Sequence, residues 1–147
     1  MSLPEKVACM DEIQSEQPVL FESVAIQRQL GNEFDDMQVL FDLLLVIHLA
    51  LRCEGIELET VSQQLHLTEL RKFSEQMRFT HDLDANTYQQ MMQQYHDDHA
   101  ELALLVWVQR RMIEAGFADF GPSPTKHLML AGVTMVNCVA ESEIRAR

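Results

Sequence analysis

The stretch VLFDLLLVIHLAL, residues 39–51, decides the fold class of this chain. Only Asp42 and His48 interrupt its apolar character, so as a helix it has no polar face and is expected to be buried nearly all round. Leucine dominates and β-branched residues are few, which favours a helix over a buried strand. The run is too short to span a membrane, which takes about 20 apolar residues.

The residues that flank this run predict where the helix begins and ends. Asn32 is a suitable N-cap, and the acidic residues that follow it suit the positive end of a helix dipole. At the other end, Arg52 suits the negative end of the dipole, and Gly55 is typical of the position just after a helix. The sequence therefore predicts a central helix over about residues 33–54.

The other segments with regular spacing also predict helices. Apolar residues recur every three or four positions over about 86–115, which predicts the longest helix of the chain. Residues 128–140 are apolar nearly all round but contain several β-branched residues, so a strand stays open as the alternative to a helix. We expect a single-domain, all-α bundle of five or six helices over 18–147, built around the 33–54 helix. Residues 1–17 show no sustained period and are expected to form a loosely ordered acidic segment.

Size, composition and charge limit the kinds of partner. The chain has 147 residues, of which 47% are hydrophobic, enough for one globular domain with a core of its own. Its formal net charge of −12 argues against nucleic acid and anionic membrane surfaces as partners. The stretch from Glu5 to Glu59 holds twelve acidic and three basic side chains. Solubility is the simpler explanation of this skew, and a basic protein partner is the more specific alternative.

The cysteines indicate the cellular compartment. Cys9, Cys53 and Cys138 are an odd number at wide spacing and include no Cys-x-x-Cys pair, so they do not form a disulfide framework. The N-terminus lacks a basic region followed by an apolar one, so we expect no signal peptide. A reducing cytoplasm fits both observations.

The stretch TVSQQLHLTELRKFSEQM, residues 60–77, is a candidate helix-turn-helix. Its first half has the apolar spacing of that motif, but Lys72 occupies a position where an apolar residue is expected. His66 stands where the turn would have glycine, and the local charge is close to neutral. Two amphipathic helices, or one helix with a kink, are the simpler interpretation. A transcription regulator is therefore our third functional hypothesis.

One cluster has the composition of a metal site. His96 and His99 lie three positions apart on the predicted long helix, so both imidazoles could reach one divalent transition metal. Asp98, His48 and His81 are further candidate ligands. Two histidines do not complete a site, and His99 would equally suit the apolar stripe of its helix. The prediction for cofactors is therefore none, with this metal as the alternative.

Chemistry at other positions has less support in the sequence. Asp42 shares its helix face with leucines, so we expect it to pair with Arg28 or Arg78 or to be solvated at an edge. No serine, threonine or cysteine lies on a glycine-flanked turn, and five scattered glycines cannot form a phosphate-binding loop. The sequence contains no motif of an enzyme, although an enzyme is not excluded.

These observations favour a small acidic cytoplasmic module that binds a protein partner, of the adaptor, secretion-chaperone, anti-activator or immunity type. The alternative is a helical bundle that uses His96 and His99 to bind a metal or small ligand. One form of this hypothesis is an enzyme. Two helices require burial on all sides in a chain of this size. A homodimer, with the last helix or the 91–108 face at its interface, would supply the missing cover.

Overall fold

A computed structural model of the chain describes residues 1–81, 90, 93–94, 102–117, 125–142 and 144–146. Within these residues the fold is the all-α bundle expected from the sequence. The helices are α1 (Leu3–Glu16), α2 (Pro18–Ala25), α3 (Phe34–Cys53), α4 (Gln63–His81), α5 (Leu102–Glu114) and α6 (Thr125–Glu141). A 3-10 turn, Ile26–Arg28, follows α2. Two short strands, β1 (Glu57–Leu58) and β2 (Ile144–Ala146), pair antiparallel.

Helix α3 confirms the predicted central helix to within a residue at each end. Its N-cap is Glu33 rather than Asn32, and the Glu33 side chain makes no capping hydrogen bond. The Asn32 side chain is buried instead, and its Nδ2 donates a hydrogen bond to Gln27 Oε1 at 3.1 Å. The Asn32 side chain therefore links the start of α3 to the 3-10 turn instead of capping the helix.

The end of α3 follows the predicted glycine signal. Gly55 has a φ of 69°, a left-handed conformation that residues with a Cβ rarely adopt. The N–H of Gly55 donates to the carbonyl of Arg52 at 3.0 Å, and that of Ile56 donates to the carbonyl of Leu51 at 2.8 Å. These two bonds satisfy carbonyls that the helix end would leave without partners.

Helix α6 settles the choice between helix and strand for 128–140 in favour of the helix. Residues 131–139 are all buried, and α6 packs against α2, α3, α4 and α5. Gly132 allows two neighbours to approach closely: a Cβ added there would lie 2.9 Å from Met112 Cε of α5 and 3.3 Å from Leu40 Cδ2 of α3. The last helix therefore shares the centre of the bundle with α3.

The N-terminal segment differs from the expectation. Residues 3–16 form α1 rather than a loosely ordered segment, and Ile13 is buried in the core with 1% of its surface exposed. A capping box begins the helix: the N–H of Glu5 donates to Ser2 Oγ at 3.3 Å, and the N–H of Ser2 donates to Glu5 Oε2 at 2.6 Å. Hydrophobic period alone does not reveal this helix, because the signal for its start is the capping box.

Helix α4 runs without a break across the position where a helix-turn-helix would turn. The candidate motif at 60–77 therefore lacks its turn, and the hypothesis of a transcription regulator loses its structural basis.

The long helix predicted over 86–115 is confirmed in its C-terminal part, which is α5. The predicted start of that long helix lies outside the described residues. Gly116 follows α5 with a φ of 86°, and Phe117 folds back into the core with 1% exposure. In the part of the chain that the structure describes, no helix combines the length and apolar character needed to cross a bilayer.

Candidate functional site

The predicted metal cluster lies mostly outside the described residues. His96, Asp98 and His99 belong to that part of the chain, and His81 is described only as the last residue of α4. His48 lies on α3 and contacts a carboxylate of α1. Within the described ranges, no three His, Cys, Asp or Glu side chains are grouped so as to hold a metal ion. The metal site of the alternative hypothesis stays a prediction.

The first cavity, which we call the α1/α3 cleft, is about 540 Å³ in volume and lies between α1, the start of α2, α3 and residues 56–60. Its floor consists of buried aliphatic side chains that belong to the core. These are Ile13, Leu20, Leu44, Ile47 and Val139. The rim is polar and carries both signs of charge. The charged side chains and the histidine are Glu12, Glu16, Glu57, Arg52 and His48.

A carboxylate joins two basic side chains on the wall of the α1/α3 cleft. Glu12 Oε2 of α1 lies 3.1 Å from His48 Nε2 and 2.7 Å from Arg52 NH1, both of α3. The His48 side chain is only 11% exposed, whereas those of Glu12 and Arg52 are 44% and 55% exposed. Because a carboxylate accepts hydrogen bonds, this contact selects the form of His48 with a proton on Nε2.

The loop beside the cleft is fixed by side chains at the end of α1. Gln17 Nε2 donates to the carbonyl of Glu59 at 3.1 Å, and Gln17 Oε1 accepts from the N–H of Val61 at 2.8 Å. The hydroxyl of Thr60 donates to the carbonyl of Glu16 at 3.1 Å. These three bonds span 42 to 44 residues of sequence, so the mouth of the cleft has a defined shape.

Two hydroxyl side chains, Ser15 and Thr60, line the described part of the cleft, but neither is hydrogen-bonded to His48 there. Among the described residues, Glu12 is the hydrogen-bond partner of the His48 side chain, and no serine, threonine or cysteine side chain bonds to that imidazole. Cys138 is buried in α6, where desolvation and the neighbouring Glu69 charge raise its pKa to about 12. A thiol in that state is inert at neutral pH.

Asp42, the other polar residue of the opening stretch, lies at the edge of the bundle. It is half-buried and accepts a hydrogen bond from Gln38 Nε2 at 3.1 Å rather than an ion pair from an arginine. Arg28, one of its two predicted partners, instead lies 3.6 Å from the Glu33 carboxylate and 5.1 Å from the centre of the Phe34 ring. Of the two alternatives for Asp42, the structure favours the edge position, where the carboxylate reaches solvent and needs no arginine partner.

The second cavity, which we call the α2/α4 groove, is about 750 Å³ in volume and lies between α2 with its 3-10 turn, and α4. Residues of α6, including Leu130 and Ala131, also line it. Three large aliphatic side chains in the groove are exposed to solvent: Ile26 by 41%, Leu30 by 42% and Leu67 by 50%. The groove shares no lining residue with the cleft.

A histidine contributes an unused polar atom to the α2/α4 groove. His66 Nε2 is buried and has no hydrogen-bond partner within the described part of the chain. Burial lowers the pKa of His66, because the protonated ring would lose its hydration. The unfolded chain therefore binds a proton more readily at this residue than the folded chain does. Folding becomes less favourable as the pH falls from the unfolded-state pKa to the lower folded-state pKa.

Comparison with known proteins identifies no relative: the chain matches no family model, no curated protein and no solved structure. Information about function therefore comes from the geometry of the two cavities.

Sequence reasoning missed both cavities. Ile26 and Leu30 lie four residues apart, as core residues of a helix also do, so their spacing does not distinguish an exposed groove from a buried face. Glu12 and His48 are 36 residues apart in sequence, and neither belongs to a motif. No local sequence pattern predicts a contact between residues so far apart in the chain.

Proposed function

We propose that the protein is a small acidic binding module whose α2/α4 groove receives an amphipathic helix of a protein partner. The observation that carries this proposal is the exposure of Ile26, Leu30 and Leu67 within one concave surface. Apolar side chains that are exposed singly are common, but several that line one groove are typical of an interaction site. A groove between two helices suits a third helix, whose apolar face follows the i, i+3, i+4, i+7 pattern.

Charge and hydrogen bonding define the partner further. Glu22 is the one formally charged residue in the part of the groove lining that the structure describes, and the whole chain carries a formal charge of −12. We therefore expect basic residues on the polar face of the partner helix, where they raise the rate of association and its salt dependence. His66 Nε2 would accept a hydrogen bond from a hydroxyl or indole N–H of the partner. Burying that atom without a bond would cost about 1–3 kcal/mol.

A pair of designed peptides tests the groove directly. Both peptides have leucines in the i, i+3, i+4, i+7 pattern, with lysines on the polar face of one and glutamates on that of the other. We expect the lysine peptide to bind in a fluorescence anisotropy titration and the glutamate peptide to bind at least about tenfold more weakly, as expected for like charges. If both peptides fail to bind, the proposal is contradicted.

Matched variants then locate the binding surface. Leu67→Glu places a charge in the groove and should abolish binding of the lysine peptide. Ile113→Glu is the control, because Ile113 is 57% exposed on α5 and does not line the groove. Equal loss of binding in both variants would show that net charge, rather than the groove, determines the affinity.

The homodimer expected from the sequence stays a prediction, with a changed rationale. Residues 131–139 of α6 are buried within one chain, so covering that helix requires no second copy. A second copy could instead occupy the α2/α4 groove. Light scattering of the wild type and Leu67→Glu distinguishes a second copy from a partner helix in the groove. Only self-association through the groove predicts a wild-type dimer that Leu67→Glu converts to a monomer.

Location in the cytoplasm belongs to the proposal as well, in keeping with the unpaired cysteines Cys9, Cys53 and Cys138.

A further inference from the structure

The α1/α3 cleft is large enough for a small ligand and is separate from the groove. Its volume of about 540 Å³ lies inside the range of roughly 300–1,000 Å³ found for ligand pockets. The side chains of its floor are part of the packed core: Ile13 is 1% exposed, Leu44 2% and Ile47 3%. The floor therefore exists before any ligand arrives. Leu51, Ile56 and Leu58 also line the cleft, and because they are only half-buried they present apolar surface to the ligand's body.

The polar wall indicates the charge of the ligand. Among the described residues that line the cleft, Arg52 is the only lysine or arginine, and its guanidinium is already paired with Glu12 at 2.7 Å. Glu16 and Glu57 also line the cleft, are exposed, and form no side-chain ion pair among the described residues. Counting only carboxylates and the guanidinium, the described lining carries three negative charges (Glu12, Glu16 and Glu57) and one positive charge (Arg52).

We infer that the α1/α3 cleft is a second binding site, and that its ligand carries a protonated amine on an apolar chain. The apolar chain lies against Leu51, Ile56 and Leu58, and the ammonium group lies at the rim near Glu16 and Glu57. An anionic head group would have only Arg52 available and would compete with Glu12 for it. Such a ligand is either a free alkylamine or a lysine side chain of a polypeptide, and both share this chemistry.

Three probes with the same six-carbon chain test the charge preference. These are n-hexylamine, n-hexanol and hexanoate, which carry a positive, a neutral and a negative head group. In ¹H–¹⁵N NMR titrations we expect hexylamine to shift the amides of residues 12–20 and 44–58 with the lowest Kd and hexanoate with the highest. Increasing salt should weaken hexylamine alone, because its preference is electrostatic. Equal affinities for hexylamine and hexanol would overturn the inference, and so would the absence of shifts at these amides.

Charge-matched variants test the position of the ammonium group. The double variant Glu16→Gln/Glu57→Gln should weaken hexylamine about threefold to tenfold and leave hexanol unchanged, as two partly exposed charge interactions predict. Asp11→Asn/Glu54→Gln removes the same charge from exposed residues that do not line the cleft. An equal effect of this control would show that only the net charge of the chain attracts the amine, and would overturn the inference.

A capped Leu-Lys-Leu peptide separates the two sources of the amine. Binding tighter than that of hexylamine supports a lysine of a polypeptide, and weaker binding supports a free amine. The groove is tested with designed helices and Leu67→Glu, whereas the cleft is tested with six-carbon probes and the glutamate variants. A negative result for the groove therefore leaves the result for the cleft unchanged, and the reverse also holds.

Discussion

Helices α3 and α6 are both apolar nearly all round in sequence, yet they occupy different environments. Helix α6 packs against four other helices, and residues 131–139 form an unbroken buried run. Helix α3 packs mainly against α1, α2 and α6, and it exposes Phe34 by 69% and Val46 by 43%. Its last turns, with His48 and Arg52, line the α1/α3 cleft. The enclosed helix holds the bundle together, and the partly covered helix contributes to a cavity.

The polar residues of the two helices show the same difference. Those of α3 reach an edge or a neighbouring carboxylate: Asp42 bonds to Gln38, and His48 contacts Glu12. In α6, Thr134 is fully buried and its hydroxyl has no partner among the described residues. Apolar composition predicts that a helix will be buried, but the number of its neighbours determines whether a polar group on it reaches water or a partner.

The same substitution in both helices gives the largest expected difference. Val136→Asp puts a carboxylate at a fully buried position of α6, and Val46→Asp puts one at a position of α3 that is 43% exposed. We expect Val136→Asp to lower the free energy of unfolding by more than about 4 kcal/mol, because the carboxylate would be buried in the hydrophobic core. Val46→Asp should change it by less than about 1 kcal/mol. Urea denaturation followed by circular dichroism measures both, and similar losses would contradict the comparison.

Thiol chemistry compares the same helices without a substitution. Cys53 lies exposed at the end of α3, whereas Cys138 is buried in α6 with a pKa raised to about 12. At pH 8 only about one in ten thousand Cys138 groups is a thiolate, which is the reactive form. We expect a thiol reagent to label Cys53 within minutes and Cys138 only at the rate of unfolding. Rapid labelling of Cys138 in the folded protein, measured by peptide mass spectrometry, would show that α6 is not enclosed.

Close packing around Gly132 predicts an effect of intermediate size. Gly132→Val adds atoms against Met112 and Leu40 and should destabilise the fold by about 1–3 kcal/mol. Gly132→Ala should be close to neutral, because the thioether end of Met112 can move and alanine favours the helix by about 1 kcal/mol. Thermal denaturation measures both. A stabilising Gly132→Val would show that α5 and α6 are less closely packed.

Removing the partnerless hydroxyl of α6 gives the smallest expected effect, and it is a gain. Thr134→Val keeps the shape of the side chain and should stabilise the fold by about 1 kcal/mol, because it deletes a buried hydroxyl that has no hydrogen bond within the described residues. Thr68→Val, at an exposed position of α4, is the control and should change the stability by less than about 0.5 kcal/mol. A loss of stability in Thr134→Val would indicate a hydrogen bond in solution.

Local features of the sequence predicted the helices well. The bounds of α3, its closing glycine and the end of α5 at Gly116 all follow from residues within one or two turns of each other. The capping box at Ser2 and Glu5 is equally local, so the sequence also contains the signal for the start of α1. The cluster at His96 and His99 lies outside the described residues, so the metal hypothesis is still a prediction.

By itself, the sequence determined that this chain is an all-α bundle and which of its segments are apolar, because hydrophobic period and capping act over a few residues. Only the tertiary structure decided which apolar helix is enclosed, which aliphatic side chains stay exposed, and that Glu12 meets His48 across 36 residues. Helical period identifies the apolar face of a segment, but not the neighbour that covers it. Both candidate binding sites lie where that cover is incomplete, and for that reason no local pattern revealed them.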